Sequence, residues 1–69
     1  MTEKQIKERA RIRTYLKQIE TYAKLCLEEM DGKSADTYYV DQKLQEIQRT
    51  ADVTQMLVRE YEDLCEEEE

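Results

Sequence analysis

The chain contains no histidine, proline, tryptophan or phenylalanine, one glycine and two cysteines among 69 residues. Without histidine there is no imidazole for general base work or metal binding, and a Cys–His nucleophile pair is excluded. Cys26 and Cys65 stand far apart in sequence, so metal chelation by neighbouring thiols is not expected either. With no proline and a single glycine, the chain has few helix breakers. No window approaches the ~20 consecutive apolar residues that a membrane-spanning helix needs. The start, Met1-Thr2-Glu3-Lys4-Gln5, has no apolar signal core behind it. The expectation is therefore a cytoplasmic protein without a membrane partner, whose two cysteines are reduced thiols.

What is present is charge and helix formers. Charged residues make up 41% and hydrophobic residues 39% of the chain, and the net charge is −6. This balance is typical of coiled coils and bundles. Nucleic acid and anionic lipid surfaces would repel such a protein overall, whereas a basic protein partner would not. The negative charge also keeps a small oligomer soluble. Sixty-nine residues allow one domain, spanning 1–69. Chains this short rarely bury enough apolar surface alone, and many recruit disulfides, metals or oligomerisation.

The apolar residues fall into two seven-residue patterns. Ile12, Leu16, Ile19, Ala23, Cys26 and Met30 alternate by four and three residues. So do Val40, Leu44, Ile47, Ala51, Thr54, Val58, Tyr61 and Cys65. Each pattern draws one stripe along a helix that seeks a partner helix. Between them lies Asp31-Gly32-Lys33-Ser34. The fold class read from this is all-α, an antiparallel two-helix hairpin of coiled-coil type that dimerises into a four-helix bundle. Helix 1 is placed at about 3–30, the loop at about 31–35, helix 2 at about 36–66 and an acidic tail at 66–69. Thr2 and Gln5 form a capping box at the first helix start. Gly32 is read as a left-handed stop, and Ser34 or Asp36 as the cap of helix 2. Thr50-Ala51-Asp52-Val53 is the weakest helical stretch by propensity, the place for a kink or a split into two shorter helices.

Folding about residue 33 sets Ala23 near Leu44 and Leu16 near Ala51, small against large in both layers. Cys26 then lies by the loop opposite Val40, and Cys65 by the chain ends. Their separation of roughly 36 Å along the helices excludes an intramolecular disulfide. Lys4, Lys7, Arg9, Arg11 and Arg13 crowd the start of helix 1, and Glu60, Glu62, Asp63 and Glu66 to Glu69 crowd the end of helix 2. An antiparallel hairpin brings these opposite charges to one end. The flanking residues Tyr15, Tyr22, Leu27, Val53, Leu57 and Leu64 are expected to stay wet in a lone hairpin, which argues for self-association. The expected oligomer interface is Ile12, Tyr15, Leu16, Ile19, Tyr22, Leu44, Ile47, Leu57, Val58, Tyr61 and Leu64.

No constellation points to a specific chemistry. Gly32-Lys33-Ser34 matches only the tail of a phosphate-binding loop and lacks the first glycine and the preceding strand. Asp31, Ser34 and Asp36 lack the spacing and the bidentate glutamate of a calcium loop, and helix capping explains them better. Glu20, Glu28, Glu29, Glu46 and Glu60 have no histidine to complete a bundle metal site, and the inward positions are apolar. The expectation is no enzyme, no cofactor and no metal. It is a small acidic helical interaction module, an adaptor, regulator or inhibitor of the kind that bacterial or phage genomes encode. Partner docking is assigned to Glu60, Glu62, Asp63, Glu66, Glu67, Tyr38 and Met56, the acidic residues suiting a basic partner surface. The alternatives are a structural subunit of a larger helical assembly, and a nucleic-acid binder using the basic run from Lys4 to Lys17. That run flanks the apolar stripe on both sides, which suits interhelical pairing better than a single DNA-reading face.

Overall fold

The computed structural model describes residues 1–67, and the last two glutamates, Glu68 and Glu69 of the expected acidic tail, lie outside the described residues. Among the described residues two helices make up the architecture. Helix α1 spans Glu3–Asp31 and helix α2 spans Thr37–Glu67. They pack along each other as a hairpin about 54 Å long.

Each end of α1 is held by local hydrogen bonds. The Thr2 hydroxyl accepts from the Gln5 backbone N–H at 3.1 Å, and the Gln5 side chain accepts from the Thr2 N–H at 3.0 Å. This reciprocal box satisfies two donors that the first turn leaves free. At the other end Gly32 donates its N–H to the Glu29 carbonyl at 3.2 Å. The expected left-handed stop is not what forms there. Gly32 has φ −73° and ψ 161°, an extended conformation open to any residue, and no described residue has positive φ. The chain leaves the helix by extending, because the Glu29 carboxylate reaches across the turn and accepts the Asp36 N–H at 2.9 Å. Asp36 in turn caps α2, its carboxylate accepting the Tyr39 N–H at 3.1 Å. Ser34 is exposed in the turn. Helix α2 runs unbroken through Thr50–Val53. Within it Thr54 donates its hydroxyl to the Thr50 carbonyl at 2.6 Å, which satisfies a hydroxyl in the most enclosed stretch of the molecule.

The core is thin. Leu57 and Leu64 are 5% and 8% exposed, and Thr54 is the third buried residue among those described. No large side chain among the described residues is wholly enclosed. Burying a leucine is worth about 1.5–3 kcal/mol, so two of them supply a small part of what two ordered helices cost in chain entropy.

Candidate interaction surface

The side chains with reduced exposure trace the contact between the helices. On α1 they include Ile12, Tyr15, Ile19, Tyr22, Cys26 and Glu29, and on α2 Val40, Lys43, Ile47, Thr50, Thr54, Leu57, Tyr61 and Leu64. Both sets step by threes and fours, as a seam between two helices requires. Two contacts across the seam mark its register. The Cys26 thiol lies 3.9 Å from the Val40 carbonyl near the turn. The Lys43 ammonium sits over the ring of Tyr22 on α1, 5.5 Å from its centroid, and over that of Tyr39 on its own helix, at 5.3 Å.

This seam is rotated from the expected one. Both share the line of Ile12, Ile19 and Cys26 with Val40, Ile47, Thr54 and Tyr61. The expected stripe joined that line to Leu16, Ala23 and Met30 and to Leu44, Ala51 and Val58. The hairpin instead uses Tyr15 and Tyr22 against Lys43, Thr50, Leu57 and Leu64. Leu57 and Leu64, expected on wet flanks, are buried by the partner helix of the same chain, and Tyr15 and Tyr22 are half-buried with them.

The other side of the shared line is open at its large residues, while Ala23 and Ala51 of the expected stripe are half-buried. Leu16 is 52% exposed, Leu44 46% and Leu27 65%, with Met30 and Val58 also exposed. These residues line two shallow grooves that run end to end along one face. The first, about 480 Å³, is lined by Leu16, Ile19, Ala51, Thr54 and Val58, with Gln55, Arg59 and Glu62 at its rim. The second, about 350 Å³, is lined by Ala23, Cys26, Leu27, Met30, Leu44 and Ile47 and contains almost no polar surface. Together the two grooves form a contiguous apolar strip along one face of the hairpin.

The residues assigned to partner docking are all exposed but do not form one patch. Tyr38 sits at the turn end of α2, roughly 37 Å along the helix from Asp63. Met56 and Asp63 share the outer side of α2 with Tyr38, whereas Glu62 borders the first groove. Lys4, Lys7, Arg9, Arg11, Arg13 and Lys17 are likewise exposed at the start of α1. Among the described residues no ion pair joins the two helices. Lys7–Glu3, Lys24–Glu20 and Arg49–Glu46 each lie within one helix and are well solvated. The opposite charges at the open end thus meet as a general field rather than as pairs.

Several features had no forerunner in the sequence reading. Lys43 fills a seam position by laying its ammonium on two tyrosine rings. Glu8 also faces the seam, with one carboxylate oxygen buried and without a hydrogen-bond partner. Tyr61 is held neutral above its ordinary range, chiefly by a hydrogen bond with the Cys65 thiol and by burial, with Arg9 pulling the other way. Both cysteines are free and half-buried. Among the described residues no cluster of acidic or thiol side chains is arranged to hold a metal ion, and no helix is long and apolar enough to cross a membrane. Comparison with protein families, curated proteins and solved structures gives no match.

Proposed function

We propose that the chain is a non-enzymatic helical interaction module that works by presenting one apolar face of its hairpin to partner helices. The observation that supports this reading is the open strip from Leu16 to Met30 on α1 and from Leu44 to Val58 on α2. The hairpin seam already uses Leu57 and Leu64, so these further apolar side chains are left for another molecule. Glu62 borders them, and the acidic end of α2 to which it belongs, from Glu60 to Glu67, favours a basic surface on the partner and suits an adaptor, regulator or inhibitor role.

Capture and reconstitution test this. A tagged chain is compared with a Leu16→Glu, Leu44→Glu variant whose helicity is checked by circular dichroism. A purified partner, its own copy included, that binds the native chain and is released by the variant supports the reading. Equal binding by both chains refutes it. Replacing Glu60, Glu62 and Asp63 by glutamine then reports on the acidic end, and unchanged affinity at low salt removes it from the docking surface.

A further inference from the structure

A lone hairpin with two buried leucines falls short of what a domain of this size needs, so the open strip is the first place to look for missing core. The strip runs for about 21 Å along α1, from Leu16 to Met30 at 1.5 Å per residue, within a broad face of about 54 by 16 Å between Cα extremes. A partner laid over that whole face, with the strip at its centre, would bury close to the ~800 Å² that each side contributes to a standard stable interface.

We propose that the strip is covered by a second copy of the same chain, related by a two-fold axis that runs along the hairpin. Both turns then lie at one end, and α1 of each copy packs on α2 of the other. This rests on the reading of the strip as an interaction surface and names its occupant.

A two-fold interface must be complementary to itself, and two properties of the strip make it so in this orientation. The first is size. Leu16 and Ala51 line one groove, and Ala23 and Leu44 line the other, so the members of each pair stand at the same height on opposite helices. Rotation about the long axis sets Leu16 of one copy over Ala51 of the other and Ala23 over Leu44, large into small in each layer. It also lays the apolar length of the strip on itself without a shift.

The second property is charge. Residues 3–17 carry six basic and two acidic side chains, and residues 52–67 carry six acidic and one basic. The long-axis two-fold places the basic half of each α1 beside the acidic half of α2 in the other copy. Charge then alternates around the four helices at the open end. The competing two-fold, perpendicular to the helices, stacks α1 on α1 and α2 on α2; it gives the basic half of α1 the four acidic and one basic side chains of residues 18–31, but turns the acidic half of α2 toward residues 36–51. That stretch has three acidic and two basic side chains and so offers no counter-charge.

The native chain carries its own reporters. Lys33 lies in the turn, and Lys4 and Lys7 lie near the open end. Isotope-labelled and unlabelled chains are mixed, allowed to exchange, joined by a short amine-reactive crosslinker and digested for mass spectrometry. The expected products between copies are Lys33 to Lys33, and Lys4 or Lys7 to Lys4 or Lys7. Lys33 joined to Lys4 or Lys7 of the other copy overturns the proposal, because the hairpin's length separates them in this orientation. Light scattering on the same unmodified sample should give twice the chain mass of 8.3 kDa. A monomer or a larger assembly also overturns it. A monomer whose strip still binds a different protein, with Leu16→Glu and Leu44→Glu abolishing that binding, leaves the interaction-module reading standing. A monomer that binds nothing through the strip removes both.

Discussion

Leu57→Ala separates the observed seam from the rotated one most cleanly. Leu57 is 5% exposed and packs between the helices, so truncation removes buried surface from the hairpin itself. Three methylene equivalents at ~0.8 kcal/mol each give about 2.4 kcal/mol of lost transfer free energy. The cavity adds little, because open grooves lie nearby and the site can collapse. The expected cost is about 2.5–3 kcal/mol, the lower part of the range for buried leucines. For a domain of this size that lowers Tm by roughly 10–20 °C. Val53→Ala on the outer side of α2 is the control. Val53 is among the exposed apolar residues and should cost under ~1 kcal/mol. Thermal and urea unfolding followed by far-ultraviolet circular dichroism reads both variants at one fixed chain concentration, since any self-association makes Tm concentration-dependent. A Leu57→Ala loss no larger than that of Val53→Ala would refute the seam and return the hairpin contact to the stripe of Leu44, Ala51 and Val58.

Substitutions at four further positions probe the ends and the polar seam. Asp36→Ala removes the acceptor of the Tyr39 N–H and should cost about 1 kcal/mol in urea unfolding, while Asp36→Asn should retain most of it. Gly32→Ala should shift stability by under ~0.5 kcal/mol, since its φ is negative and an added Cβ meets only the Glu29 carbonyl at 3.3 Å; a loss of several times that would restore the left-handed reading. Glu8→Leu should raise Tm by the equivalent of about 1 kcal/mol, because it replaces a carboxylate oxygen that is buried and unpartnered. Tyr61 has its pKa raised in the folded state by the Cys65 hydrogen bond and burial, so its neutral form is the one folding favours. Its contribution is whole below the ordinary tyrosine range near pH 10 and is lost as pH rises through the higher folded value. Tyr61→Phe should flatten that alkaline decline, and tyrosinate absorbance should show its signal as the late component of the titration.

The two helices, the short turn and the first capping box were legible because each depends on local chemistry. Thr2 and Gln5 need only three residues of spacing, and the apolar periodicity needs only one helix. The rotation of the seam was not legible, for a definite reason. Counting apolar residues favours Leu44 and Ala51 over their neighbours Lys43 and Thr50. The fold places Lys43 and Thr50 between the helices and leaves Leu44 in the open. Lys43 is tolerated there because its methylene stem packs while its ammonium finds two aromatic faces. Nothing in a one-helix pattern announces a cation that is satisfied by rings on both helices. Gly32 misled in a similar way, since its identity suggested a left-handed stop while the Glu29–Asp36 hydrogen bond set the exit by other means.

The same rotation leaves the chain with two apolar faces, one closed by the hairpin and one open. The line of Ile12, Ile19 and Cys26 with Val40, Ile47, Thr54 and Tyr61 is shared by both faces, so it is half-covered by the hairpin and half-open to the strip. On the hairpin side the buried leucines, Leu57 and Leu64, lie toward the chain ends, while the turn side is only half-buried, with Lys43 on Tyr22 and Tyr39 and with Thr50. On the open side the balance is reversed. The most apolar groove, with Leu27, Met30 and Leu44, lies toward the turn. The internal seam is therefore weakest where the open strip is most apolar. A partner covering that strip would add burial at the level where the hairpin holds itself together least, and would order both helices along their whole length. Stability and recognition are then the same event, and a substitution at Leu27 or Leu44 should weaken folding and association together.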